Sequence, residues 1–165
     1  MNIKATKVFY KNRDSKAQIV INRGGSRSSK TFSIAQLLFL ERFLTQKNKK
    51  ILVLRKTLPS LRVSVYQDWK KFLTGYNLEE ITDENKQYLD YYYRPNNNYL
   101  HFGSLDNPEK IKSSGWNYIW MNEATDFDED DFLQLLLRLS EPTIDGQRNQ
   151  LFMCFNPIDE YHWIK

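Results

Sequence analysis

The sequence predicts a three-layer α/β domain built on a mainly parallel sheet. Short apolar runs alternate with segments of helical period along the chain. A loop rich in Gly and Ser joins the first apolar run directly to the first helical segment. A later apolar run ends on a carboxylate, and open α/β sheets gather their ligand-binding groups at such strand ends.

Residues 17–22, Ala17-Gln18-Ile19-Val20-Ile21-Asn22, read as a short buried strand, followed by the loop Gly24 to Ser29. From Thr31 the residues Phe32, Ala35, Leu38, Phe39 and Phe43 recur at helical spacing, which predicts a helix to about Thr45. Ile51-Leu52-Val53-Leu54 is a second buried strand. Pro59 then opens a helix with Leu61, Val65, Trp69 and Phe72 on one face. Residues 87–93 and 99–102 flank the turn-rich Arg94-Pro95-Asn96-Asn97-Asn98, which predicts a hairpin at a sheet edge. A polar stretch from Gly103 to Gly115 leads to the strand Tyr118-Ile119-Trp120-Met121, a helix from about Glu129 to Leu139, and a last strand from Leu151 to Phe155.

With 165 residues, 41% of them hydrophobic, and only 6 Gly and 5 Pro, the chain can bury a core and has no room for a second domain. The formal charge of +4 agrees with a polyanionic partner but is too small to demand one. The one cysteine, Cys154, excludes an internal disulfide framework and sits in an apolar run, so a buried structural thiol is expected. No stretch is long and apolar enough for a membrane span and the N-terminus lacks the apolar core of a signal peptide, which points to a reducing cytoplasm. His101 and His162 have no metal spacing and receive no role.

Gly24-Gly25-Ser26-Arg27-Ser28-Ser29-Lys30-Thr31 carries the most specific signal. A glycine loop between strand and helix turns backbone N–H groups toward phosphate oxygens. Lys30, read as an exposed loop lysine, would reach the β- and γ-phosphates, and Thr31 would set its hydroxyl on Mg²⁺. The pattern departs from the strict phosphate-loop motif at one place: Ser29 precedes the lysine where glycine is usual, and serine tolerates fewer backbone conformations.

A nucleotide hydrolase of this type also needs acid at a second parallel strand end. Glu123, just past the strand 118–121, is the candidate for activating water. Asn122 stands where aspartate is common and could hold a magnesium-bound water, though a neutral amide binds the cation less strongly. The acids Asp128, Glu129, Asp130 and Asp131 read instead as a helix start, where carboxylates favour the dipole. Arg27, Arg55 and Arg138 are candidates for the positive group that phosphoryl transfer needs at the γ-phosphate.

Five segments in order resemble the large terminase subunits of tailed bacteriophages. They are Gly24 to Thr31, Ile51 to Thr57 with Leu61 to Tyr66, Phe102 to Ser113, Trp120 to Ala124, and Phe155-Asn156-Pro157. The resemblance implies a P-loop NTPase fold that binds ATP and Mg²⁺, with Asn156 in the motif that senses the γ-phosphate and couples hydrolysis to movement. It also implies a ring of identical subunits in the host cytoplasm, seated transiently at the procapsid portal. There it would work with the portal protein and the small terminase subunit to pump double-stranded DNA inward. A nuclease domain normally follows this ATPase domain; its carboxylates match no residue here, so no nuclease activity is expected from residues 1–165. A helicase-like ATPase acting on nucleic acid, and a nucleotide-binding fragment without turnover, stand as alternatives, the second suggested by Ser29 and Asn122.

Overall fold

The computed structural model describes residues 4–106, 109–144, 146–157 and 162–164. Asn107 and Pro108, part of the third of the five segments compared above, lie outside them. The elements in order are α1 (Lys7–Asp14), β1 (Ile19–Arg23), α2 (Lys30–Ala35), a π-helix (Gln36–Arg42), α3 (Phe43–Thr45), β2 (Lys50–Arg55), α4 (Leu58–Arg62), α5 (Val65–Gly75), β3 (Thr82–Asn85), β4 (Asp90–Tyr93), β5 (Asn98–Ser104), α6 (Glu109–Lys112), β6 (Tyr118–Asn122), α7 (Glu129–Leu137) and β7 (Gln150–Phe155).

One sheet of seven strands runs in the order β1-β7-β6-β2-β5-β4-β3. Strands β1, β7, β6, β2 and β5 pair in parallel. Strands β5, β4 and β3 pair antiparallel and form one edge. The expected hairpin is therefore present, but β3 lies outside it.

Strand alternation divides the core into two clusters and makes the three layers. Ile51, Val53, Tyr118, Trp120, Phe152 and Cys154 face the helices that carry Phe9, Ile34, Phe39, Val65 and Trp69. Leu52, Leu54, Ile119, Met121, Leu151 and Met153 face the opposite layer with Trp116, Phe127 and Leu135. Strands β2, β6 and β7 are buried on both faces, which is why they read as continuous apolar runs rather than alternating ones.

Three differences from the sequence reading have local causes. The long helix expected from Thr31 to Thr45 contains the π segment, and its residues Leu37, Leu38, Phe39 and Leu40 are all buried. Four consecutive α-helical positions nearly circle the axis, whereas the wider π turn narrows the arc they subtend. The helix after Pro59 breaks at Val63 and Ser64 into α4 and α5, with Thr57 capping α4 through Ser60 N. The unforeseen α1 starts at Thr6, whose hydroxyl accepts from Phe9 N at 3.2 Å and meets the Ser33 hydroxyl at 2.7 Å. Asn12 and Asn22 exchange amide hydrogen bonds of 2.8 and 2.9 Å and fix α1 to β1.

Candidate functional site

Three parallel strands end side by side and supply the site. Past the end of β1 comes the glycine loop, past β6 comes Glu123, and past β7 comes Asn156. Ser26, Arg27, Ser28, Ser29, Lys30, Thr31, Phe32, Glu123 and Asn156 line one cavity of about 350 Å³. Loop, carboxylate and amide, chosen from separate stretches of sequence, thus share one crevice at the carboxyl ends of the strands, where open α/β sheets bind ligands.

Lys30 is at the centre of it. Its side chain, read from sequence as exposed, is only 9% accessible. Nζ donates to Gly24 O at 2.6 Å, Gly25 O at 2.9 Å, Ser28 Oγ at 2.9 Å and Asn156 Oδ1 at 3.3 Å. An ammonium has three donors, so these four oxygens saturate it. The loop is also tied to β7 through Gly24 N, which donates to Phe155 O at 3.3 Å. Gly24 and Gly25 therefore act through their backbone groups and contribute no lining of the cavity.

Three of the residues that line the cavity hold a left-handed backbone conformation. Among the described residues, seven other than glycine have positive φ, and Asn48, Asn77 and Asn97 are of the type that tolerates it. Of the other four, Arg27 (φ 62°), Ser29 (φ 61°) and Glu123 (φ 54°) line the cavity, whereas Leu89 (φ 55°), in the turn before β4, does not. Ser29 thus adopts the left-handed conformation that a glycine would take at that position. Glu123, in the same region, is carried out of line with β6 and into the crevice.

Asn122 is not placed as its expected metal role requires. Its side chain is 2% accessible, it does not line the cavity, and its Oδ1 accepts from Cys154 Sγ at 3.2 Å. The reason is register: Asn122 pairs with Cys154 across β6 and β7, so the two side chains share a face of the sheet. Cys154 is buried as expected; burial pushes its thiol pKa up, with Trp120 Nε1 donating to Sγ at 3.3 Å and the Thr31 hydroxyl also in its hydrogen-bonding shell. The Cys154 thiol thus lies between Asn122 and Thr31.

Of the arginines, Arg27 alone lines the cavity. Arg55 pairs with Asp126 at 3.4 Å, and Arg138 caps α7, where its carbonyl accepts from Trp116 N at 2.8 Å. The acids after Glu123 form the expected helix start. Asp128 and Asp131 make a reciprocal capping box, and Lys56 pairs with both. His101 is paired with Asp90 at 2.6 Å and His162 meets Thr125 O at 3.1 Å, both away from the cavity. Sequence reasoning missed Phe32, placed there on the apolar helix face. It is 51% exposed, lines the cavity and stacks on Phe72 with centroids 6.2 Å apart. Its position directly after Thr31 was the available signal.

The phage terminase large subunit family profile matches residues 16–165, nearly the whole chain. The chain belongs to that family. Among solved structures, this terminase chain superposes on the large terminase of a thermophilic bacteriophage with a TM-score of 0.76 at 20% identity, covering 96% of this chain and 40% of that one. The same phage protein in complex with ATP-gamma-S gives 0.74 at 20% identity, covering 96% and 38%. The ATPase domain of the Thermus phage P74-26 large terminase gives 0.69 at 14% identity, covering 94% and 66%. These likenesses establish the fold of a terminase ATPase domain. The chain spans about 40% of the length of the first of these terminases. No curated protein matches it.

Proposed function

We propose that this terminase chain is an ATP-hydrolysing motor that drives double-stranded DNA into a procapsid. The observation that carries the reading is the single cavity shared by the phosphate loop, Glu123 and Asn156. Backbone N–H groups of residues 26–31 receive the phosphates, and Lys30, held by three loop oxygens and Asn156 Oδ1, gives up its longest contact, to Asn156, for a phosphate oxygen. Arg27 supplies a cation in cis. Glu123 orients and deprotonates the attacking water, and Asn156 reads the γ-phosphate.

Mg²⁺ fits the donor set. Thr31 and Glu123 give hard oxygens on the cavity wall, and no cluster of three or more His, Cys, Asp or Glu side chains suited to a metal occurs among the described residues. That combination suits an ion held mainly by phosphate oxygens and water. When bound, it would neutralise charge on the β- and γ-phosphates. Thr31 is its ligand in this reading, and Asn122 supports Thr31 through Cys154 rather than holding a metal-bound water.

The same reading places the chain in a ring of copies in the host cytoplasm, docked for a time at the procapsid portal with the portal protein and the small terminase subunit. Among the described residues no helix is long and apolar enough to cross a membrane. A nucleotide-binding fragment without turnover is the second reading, favoured by the amide at Asn122 and by the saturated Lys30.

Phosphate release and equilibrium nucleotide binding test the proposal together. Lys30→Ala should abolish both turnover and tight ATP binding, and Lys30→Gln, which keeps a donor for the loop oxygens, should do so with an unchanged melting temperature. Normal turnover in either folded variant refutes the assignment of the loop. Binding without any turnover by the unsubstituted chain favours the second reading.

A further inference from the structure

The end of the sheet opposite the phosphate loop carries a second polar cavity, of about 390 Å³. It lies where β1 and β7 begin, whereas the phosphate loop follows the residue at which β1 ends. Its walls come from the end of α1 and the link to β1, from the last residue of the π-helix, and from the approach to β7. Four cationic side chains line it: Arg13, Lys16, Arg42 and Arg148.

Two carboxylates stand beside them. Asp14 pairs with Arg13 at 2.8 Å, and Glu41 pairs loosely with Arg42 at 3.5 Å. Lys16 and Arg148 have no ion pair among the described residues, and Arg148 Nη1 donates only to Lys16 O at 3.2 Å. Among the described residues, Lys16 and Arg148 are thus the two lining cations without a carboxylate partner.

Arg42 makes this more than a basic surface. The residue is 8% accessible, and its Nε is buried without a hydrogen-bond partner among the described residues. Its Nη2 donates to Arg13 O at 3.2 Å, and the guanidinium carbon lies 5.6 Å from the centre of the Tyr118 ring. A buried guanidinium with an unused donor is costly unless an acceptor reaches it. A planar fork on a cavity wall, with further cations at the rim, matches the geometry and charge of a phosphate group.

We infer that this cavity is a second anion site, separate from the nucleotide crevice, that binds a phosphate group: either a free phosphate anion or a phosphodiester of nucleic acid. Arg42 supplies the buried fork, and Arg13, Lys16 and Arg148 supply rim charge. The inference does not depend on the phosphate loop being a nucleotide site.

The test uses the whole chain carrying Lys30→Gln, so that the phosphate loop does not compete for the probe. Lys16→Glu with Arg148→Glu reverses the two exposed cations; Lys71→Glu with Lys86→Glu, an exposed pair remote from the cavity, applies the same change in net charge. Two probes are used: inorganic phosphate, read as a rise in melting temperature, and a short DNA duplex, read by anisotropy across a salt series. Reversal at the cavity should abolish the phosphate-induced rise. It should also weaken duplex binding by at least about tenfold and lower the salt slope by about two, as expected for two lost phosphate contacts. The control pair should do neither. Loss of both responses assigns the site to a phosphodiester, and loss of the phosphate response alone assigns it to the free anion. Unchanged responses to both probes, or an equal loss in the control pair, overturn the inference. Arg42→Lys, which keeps the charge but not the fork, should weaken the phosphate response in a protein that still melts cooperatively.

Discussion

Replacing Ser29 by glycine should stabilise this terminase domain. Ser29 sits at φ 61° and ψ 12°, makes no side-chain capping bond, and is exposed. The left-handed region costs a residue with a Cβ about 1–2 kcal/mol. Glycine gives back roughly 0.5–1 kcal/mol of that through its greater freedom in the unfolded chain. The net gain is about 0.5–1 kcal/mol, which for a domain of this size raises the melting temperature by about 1–4 °C. A thermal melt followed by circular dichroism reads it, with Ser29→Ala as the control. Alanine keeps the Cβ and so keeps the strain, and it should not stabilise. If glycine lowers the melting temperature, or if alanine raises it equally, the serine is not strained and the argument from backbone conformation fails. Nucleotide affinity of the glycine variant should be equal or tighter, because the loop then holds the same shape with less strain.

Glu123→Gln should leave ATP binding in place and slow phosphate release by about 100-fold or more, the usual contribution of a general base; an unchanged rate returns Glu123 to the solvated acids. Asp128→Asn tests the start of α7. The carboxyl of Asp128 is held below its ordinary range first by the backbone N–H of Asp131 and then by Lys56. A depressed folded value means stability present above the unfolded value and lost as pH falls through the folded one. The variant should therefore melt below the parent at neutral pH, with the gap closing in acid below about pH 4, and a gap that persists in acid refutes the charge explanation. Asn156→Ala, in a complete terminase carrying this domain, should keep ATP affinity within about tenfold, as loss of one hydrogen bond allows, while packaging of DNA stops. Packaging at the parent rate would leave Asn156 as a turn residue before Pro157.

The parallel core was legible because β2, β6 and β7 are buried on both faces and so appear as unbroken apolar runs. The strand β3, Thr82-Asp83-Glu84-Asn85, could not be read: its residues are polar, three of the four are exposed, and its pairing with β4 is made by backbone groups. The helix α1 buries little apolar surface beyond Phe9, so periodicity gave it no signal. At the site, the loop, Glu123 and Asn156 were legible from residue type and position relative to a strand end. The orientation of Asn122 was not, because it depends on the register that sets it opposite Cys154. The burial of Lys30 was equally hidden, since its partners Gly24, Gly25 and Asn156 converge only when β1 and β7 pair.

That pairing also bears on how the proposed motor would couple chemistry to movement. β7 reaches the site by two routes: Phe155 O accepts from Gly24 N at the root of the loop, and Asn156 Oδ1 accepts from Lys30 Nζ. Lys30 has more oxygens around it than donors, so a phosphate that captures the ammonium must release some of these partners. Asn156 is the weakest of them, at 3.3 Å, and the only one outside the loop. Nucleotide binding would therefore free the end of β7 while leaving the loop's own contacts largely intact, and product loss would restore the bond. In the proposed motor a displacement at Asn156 would pass to Pro157, whereas β7 itself is held by β1 on one side and β6 on the other. The paired sheet would thus hold its place while the contact at Asn156 opens and closes with the nucleotide state.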